Sequence, residues 1–407
     1  IAMYGIENGA YPGCHVLVWK NGYPVYNKCF GTHTYESDRK VKENDLYDLA
    51  SLTKTTATML AVMKLYDDGK LNLTDKISNY VPEMKSTNKE NITIQELLYH
   101  ESGLPAYLPF YKKAIDTKSC KGGMYKKYKD ANHSVKVANN LYICTNYSFL
   151  PEWVSDKETS EYSLRVSDNM YIKPEFKSVI LKEIADTPLK GHSYRYSCLN
   201  FMLLKEAVEN ISGMPMDEFL EENFYKPMGL VHTMYNPLKR YSKDEIIPTV
   251  KEDFLRKGPV HGYVHDEAAA MLGGVSGNAG LFSTAKEVAT IYQMLLDKGV
   301  MGDRRYLTRA TCELFLTMKS KNSRRGLGFD KPDKEKPENG YCAPETPASV
   351  FGHTGFTGTC AWADPDNDLV FVFLCNRIYP NPCDRKNLMK LKIRPAIQQA
   401  IYQAIMK

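Results

Sequence analysis

The 407 residues, 43% hydrophobic and 25% charged, suffice for one large domain or two closely joined lobes around a substantial core. The net charge of +5 rests on 53 basic and 48 acidic residues spread along the chain. No long Lys/Arg run and no interleaving of basic and aromatic residues occurs, which argues against nucleic acid as a partner. No apolar run reaches the ~18 residues of a helical membrane span, so none is expected. The ten cysteines are irregularly spaced, with no Cys-x-x-Cys and no Cys/His ligand cluster, so neither a zinc site nor a dense disulfide scaffold is expected. Cys120 and Cys144 fall within one segment, where a short loop would let them pair.

In chain order, His15–Trp19 runs through Lys20-Asn21-Gly22 into Pro24-Val25-Tyr26, which predicts a hairpin, because both Asn and Gly accept positive φ. Ser51-Leu52-Thr53-Lys54 opens a helical pattern with Met59, Val62, Met63 and Tyr66 on one face, ended near Asp67-Asp68-Gly69. Ile94–Tyr99 reads as a short helix, and Phe201–Ile211 and Met216–Phe224 as two more. Residues 106–189 are rich in Tyr, Lys and Ser and weakly periodic, which suggests an insertion over a site or a partner surface. Ser283 reads as the N-cap of a helix ending at Gly299. Thr359–Ala363, the turn Asp364–Asp368 and Leu369–Leu374 form a second hairpin, whose return strand is apolar throughout, as in a strand buried on both faces. An amphipathic helix from about Ile393 to Met406 closes the chain.

Ser-x-x-Lys occurs four times, at Ser37, Ser51, Ser86 and Ser283. Ser37 and Ser86 lie in polar stretches, and Lys286 reads as an ordinary first-turn residue. Ser51 alone follows an apolar stretch. At the first turn of a helix, Ser51 and Lys54 share a face. The helix N-terminus favours negative charge at the hydroxyl, and a buried Lys54 would lose solvation and become able to take the serine proton. Tyr196, in Tyr196-Ser197-Cys198 just before a helix, is placed to relay a proton if it lies beside that lysine. Gly352-His353-Thr354-Gly355-Phe356-Thr357-Gly358 leads into the second hairpin. Its glycines let a substrate lie along the strand, and a backbone N–H there can complete an oxyanion hole. Taken singly, these are also a capping serine, a core tyrosine and a Gly-rich turn; their joint occurrence in this order argues for chemistry. His100 and the pair His265-Asp266 read as structural, or as a distal pocket wall. Gly-x-Ser-x-Gly and His-Glu-x-x-His are absent.

These three elements resemble the signatures of the serine beta-lactamase and penicillin-binding-protein superfamily, on its class C side. Leu97–Leu104, Gly277–Ser283 and Gly326-Leu327-Gly328-Phe329 are similar to that family too, and the resemblance covers about 12–105 and 190–405. Tyr47–Ser51, Val264-His265-Asp266 and Phe351–Gly358 resemble a subgroup of serine hydrolase domains fused behind glycoside hydrolase family 3 modules in Bacteroidetes-type bacteria; a stand-alone relative trims the peptide from N-acetylmuramic acid. The resemblance implies an α+β fold, with an antiparallel sheet flanked by helices (1–51 and 271–407) beside a mainly helical lobe (52–270) that carries the insertion at 106–189. It implies that Ser51 attacks an acyl carbonyl, that Lys54 and Tyr196 handle the proton, and that the N–H groups of Ser51 and Phe356 hold the oxyanion. His353, Thr354, Gly355 and Cys198 would contact substrate, and no metal or organic cofactor is implied.

Two positions depart from the family. Cys198 stands where Asn, sometimes Asp, positions the substrate amide, and sulfur is a weak partner for it. His353 stands where beta-lactamases carry Lys, so a fixed positive charge is lost near neutral pH. Both point away from beta-lactam hydrolysis and toward esters or cell-wall amides. The expected function is hydrolysis of an amide or ester through an acyl-serine, on a peptidoglycan-derived muropeptide. The alternatives are a promiscuous carboxylesterase and a weakly catalytic muropeptide-binding module. The chain opens at Ile1 with no initiator Met and no leader, as after removal of a signal peptide or trimming. With the resemblance, this predicts a periplasmic or secreted protein; the subgroup resemblance alone leaves open a covalent N-terminal glycoside hydrolase module in the full-length protein, which the sequence does not show.

Overall fold

The computed structural model describes residues 1–384 and 386–405. At its centre, the two ends of the chain meet in one antiparallel sheet. Its strands are β1 (Gly13–Lys20), β2 (Tyr23–Gly31), β3 (Phe351–Thr354), β4 (Cys360–Asp364) and β5 (Leu369–Cys375), in spatial order β3-β4-β5-β1-β2. β1 lies against β5, with Cys14 opposite Cys375 and Lys20 opposite Leu369. The first hairpin turns at Asn21 (φ 53°) and Gly22 (φ 76°), the left-handed pair that matches strand twist. The second turns through Asp364, whose Oδ1 accepts the N–H groups of Asp366 and Asn367.

The apolar run of β5 is explained by its two faces. Val370, Val372 and Leu374 join Leu17 in one core, and Phe371 and Phe373 join Val16 and Val18 in the other. Four helices matter most: α1 (Met59–Asp67), α2 (Cys198–Ser212), α3 (Ala285–Leu296) and α4 (Ile393–Ile405). α3 packs Val288, Ile291 and Leu295 into the first core, where α1 and α2 also contribute; α4 packs Ile393, Ile397 and Tyr402 into the second. Met406, the expected end of α4, lies outside the described residues.

The short helix runs over Ile94–Tyr99 as expected, opened by a capping box of Thr93 and Glu96. Two expectations are corrected. Ser283 is not the N-cap of α3: it ends the strand Leu281–Ser283, which pairs with Tyr47–Asp48, and Thr284 caps the helix by accepting the Glu287 N–H. The helix expected over Met216–Phe224 changes pitch, with α-helix at Met216–Leu220 and a wider π-turn at Glu221–Tyr225. Residues 106–189 hold two three-stranded sheets and one strand pair, with strands of two to four residues, and the helix Phe176–Asp186; such short strands leave no readable period. Within them Cys120 and Cys144 are both free, buried thiols. Among the described residues no helix is long and apolar enough to cross a membrane.

Phe373 is fully buried between β5 and the face covered by α4. Phe373→Ala is expected to lower unfolding stability by about 3–5 kcal/mol in denaturant titration, with an unchanged m-value.

Candidate active site

Ser51 lies in a tight 3₁₀ turn, Ala50–Leu52, and Lys54 opens a π-turn, Lys54–Thr58, that runs into α1. The two side chains therefore leave the same end of one helix. Lys54 is wholly buried. Its Nζ donates to Ser51 Oγ at 3.0 Å and to the Asn278 carbonyl at 2.9 Å, and lies 3.6 Å from the sulfur of Cys198. Tyr196 OH also donates to Ser51 Oγ, at 2.9 Å, and Lys54 Nζ sits 5.1 Å from the Tyr196 ring centroid. The structure thus brings Ser51, Lys54, Tyr196 and Cys198 together. The other three tetrads are idle: Lys40 and Lys286 are exposed, and Lys89 is spent on the carbonyls of Ala185 and Thr187.

Tyr196 is held by its neighbours in sequence. The Ser197 N–H donates to His100 Nδ1 at 3.1 Å, Ser197 Oγ to the Pro105 carbonyl at 2.7 Å, and the Cys198 N–H to the Ala106 carbonyl at 3.0 Å. His100, in left-handed conformation at the end of the Ile94–Tyr99 helix, packs its ring 4.6 Å from that of Tyr196. Burial, with Arg325 and Lys54 nearby, holds His100 well below its ordinary value, so it is a neutral packing group.

The expectation that burial would leave Lys54 neutral is not met. Burial pushes its ammonium down, but Cys198 and Tyr196 beside it outweigh that and the net direction is up. Burial likewise raises the Tyr196 phenol and the Cys198 thiol, against the pull of Lys54. All three groups are thus held toward their protonated forms.

The His353–Phe356 segment faces this group from the sheet. The His353 ring lies 5.8 Å from that of Tyr196. Its Nδ1–H donates to the Thr354 carbonyl at 2.6 Å, and its buried Nε2 has no partner among the described residues. Burial, with Arg325 and Lys54 adding to it, pushes His353 down to about 3, so it carries no charge at neutral pH. Gly355 packs directly on the nucleophile turn: a Cβ there would come within 2.5 Å of the Leu49 carbonyl and 2.0 Å of Thr359 Oγ1. Thr354 precedes it at the end of β3, half-buried. Neither the Ser51 nor the Phe356 N–H is used in a tertiary backbone hydrogen bond among the described residues.

Ser51 and Phe356 open onto one cavity of about 590 Å³. His265-Asp266-Glu267 form part of its wall, and the 106–189 segment contributes Tyr107, Tyr111 and Tyr125. His265-Asp266 is thus a pocket wall, with the His265 ring stacked 5.7 Å from Phe356. Burial, aided by Asp266 and Asp253, raises Glu267 to about 8.

Three groups at this site escaped the sequence reading. Asn278 offers Lys54 a backbone carbonyl, which no residue type announces. Asp48 sits three residues before Ser51 and accepts the N–H groups of Ala50 and His265, each at 2.8 Å. Arg325 is buried with its guanidinium 5.2 Å from the Tyr196 ring centroid and Nη1 unpartnered; its only sequence signal is its place beside Gly326-Leu327-Gly328-Phe329.

Comparison with known proteins places this geometry. A family model described as Beta-lactamase matches residues 5–393. A protein of Escherichia coli named "Putative D-alanyl-D-alanine carboxypeptidase" is 30% identical over 395 residues, covering 90% of this chain and 79% of that protein. One of the same name from Salmonella typhi is 30% identical over 423 residues, covering 96% and 85%. Among solved structures, EstCE1, described as a hydrolase with promiscuous acyltransferase activity, matches with a TM-score of 0.62 at 18% identity over 98% of this chain and 96% of that one. A penicillin-binding protein homolog from Caulobacter crescentus gives 0.62 at 17% identity, over 97% and 94%. The structural likenesses concern the fold, and the α+β expectation holds. The chain belongs to the beta-lactamase family, as a serine hydrolase of the beta-lactamase and penicillin-binding-protein superfamily.

Proposed function

We propose that the chain hydrolyses an amide or ester through an acyl-enzyme on Ser51, and that its substrate is a peptidoglycan-derived muropeptide amide. The observation that carries this is the pair of hydrogen bonds onto Ser51 Oγ, from Lys54 Nζ and Tyr196 OH, at the mouth of a cavity large enough for a peptide side chain. Relatives named as carboxypeptidases support the cell-wall assignment. The periplasm or cell exterior is the compartment that suits such a substrate, and a preceding glycoside hydrolase module would act on the same polymer.

In this mechanism Ser51 Oγ bonds to the acyl carbon as its proton passes to the Lys54–Tyr196 pair. The carbonyl oxygen becomes an oxyanion facing the Ser51 and Phe356 N–H groups. Tyr196 returns the proton to the leaving amine or alcohol as that bond breaks. Water then attacks the acyl-serine, giving a proton to the same pair; the bond from the acyl carbon to Ser51 Oγ breaks, the pair returns that proton to Oγ, and the acid leaves. Thr354 and Gly355 would line the substrate along β3, His353 would present Nε2 as an acceptor, and Cys198 would pack beside the acyl group.

A carboxylesterase is the alternative, and the neutral His353 favours it, because no fixed charge stands there for a substrate carboxylate. Turnover of short aryl esters without turnover of muropeptides would decide for it, whereas release of peptide from a muropeptide supports the main proposal. Tight muropeptide binding without any turnover would make the chain a binding module.

Three outcomes are expected. Tyr196→Phe lowers kcat by about 10²–10⁴-fold on either substrate in steady-state assays. The reactive form is one proton short of protonated Lys54, Tyr196 and Cys198, and Lys54 and Tyr196 are both held above their ordinary values. Raising pH removes that proton, so kcat/KM keeps climbing above about pH 8 rather than levelling near neutrality. Cys198→Asn, which supplies an amide donor and acceptor, raises amide turnover relative to ester turnover; a fall would show that the thiol is not a handicap.

A further inference from the structure

Ala50, the residue before Ser51, has φ 47°, a region that costs any residue with a Cβ and that glycine enters freely. It is buried, and it sets the direction in which the next residue leaves the turn. The conformation is fastened by one side chain. Asp48, itself only 3% exposed, accepts the Ala50 N–H through Oδ1 at 2.8 Å. Its second oxygen accepts the N–H of His265, in the cavity wall, also at 2.8 Å. Its carbonyl accepts Thr357 Oγ1 at 2.8 Å, from the loop that follows Phe356. His265 in turn stacks on Phe356. A single residue thus ties the serine turn to a cavity wall 217 residues and an oxyanion loop 309 residues further along the chain. Both carboxylate oxygens face donors, a demand that a carboxylate meets and a carboxamide of the same shape does not, since one of its ends is itself a donor.

We propose that Asp48 is a positioning residue for the reaction, holding Ala50 in the left-handed conformation that presents Ser51 and holding His265 so that the cavity wall stays in register with the nucleophile. This role presupposes that Ser51 is the nucleophile of the function proposed above. The two oxygens have separable consequences. Loss of the Ala50 bond misplaces Ser51 and lowers kcat, because an ångström of misalignment costs on the order of 10²-fold. Loss of the His265 bond loosens the wall and raises KM.

The test is steady-state hydrolysis of p-nitrophenyl acetate by wild type, Ser51→Ala, Asp48→Asn and the double variant Asp48→Asn/Ala50→Gly, each with its thermal unfolding recorded. Asp48→Asn is expected to fold, to lose about 10²-fold in kcat and to show a raised KM. Glycine at 50 adopts the left-handed conformation without the carboxylate. The double variant should therefore regain about tenfold in kcat over Asp48→Asn while KM stays raised. A purely structural residue would lower the melting temperature without this split. Wild-type kcat in folded Asp48→Asn, or a double variant no faster than Asp48→Asn, overturns the role of Asp48 while leaving Ser51 in place. Turnover that survives in Ser51→Ala overturns both. Should Asp48→Asn not fold, Asp48→Ser/Ala50→Gly is compared with Ala50→Gly, where a raised KM supports the role and an unchanged KM overturns it.

Discussion

Lys54 has no exposure to solvent, and its ammonium is met by the hydroxyl of Ser51, the carbonyl of Asn278 and the sulfur of Cys198. A buried amine costs several kcal/mol unless acceptors surround it. Its three acceptors come from residues 51, 198 and 278. The folding of three distant stretches onto one nitrogen is what assembles the site. The same desolvation that makes the lysine costly makes it useful, because a proton shared among Lys54, Tyr196 and Ser51 moves in a medium that strengthens each electrostatic contact.

The central sheet supplies the frame. β1 comes from the start of the chain and β3–β5 from its end, while the turn bearing Ser51 follows Tyr47–Asp48, which pairs with Leu281–Ser283 in a separate small sheet and is joined to the His353 side by direct contact. The contact between them is close: Gly355 leaves no room for a side chain above Leu49, and Thr357 and Thr359 bond the carbonyls of Asp48 and Leu49. The opposite wall is set by the 98–106 region, where His100 packs on Tyr196 and Asn200 Oδ1 accepts Ser102 Oγ at 2.6 Å. Neutral His353 and buried Arg325 both lie beside Tyr196, so of these two only the arginine brings charge to it.

Much of this was legible in the residues. The Asn21-Gly22 turn and the two-faced apolar run of β5 follow from backbone preference and periodicity, which are local and strong. Ser51 stood out from three identical tetrads because only its surroundings were apolar. What stayed hidden depends on long-range geometry. The strands of 106–189 are too short to show a period, yet the segment brings three tyrosines to the cavity, one of them from a strand. The Asn278 carbonyl is a backbone atom that any residue type would offer. Arg325 reads as one half of a surface-like Arg-Arg pair until the fold buries it. The charge of Lys54 depends on Cys198 and Tyr196, which sit about 140 residues away, so burial alone predicted the wrong direction.

The central claim is that Ser51 is an activated nucleophile. Intact mass after incubation with a fluorophosphonate probe, wild type beside Ser51→Ala, tests it most directly. One phosphonyl adduct on the wild type, mapped to Ser51 and absent from the variant, is the predicted result. An unmodified wild type, or an adduct of equal yield on Ser51→Ala, would contradict it.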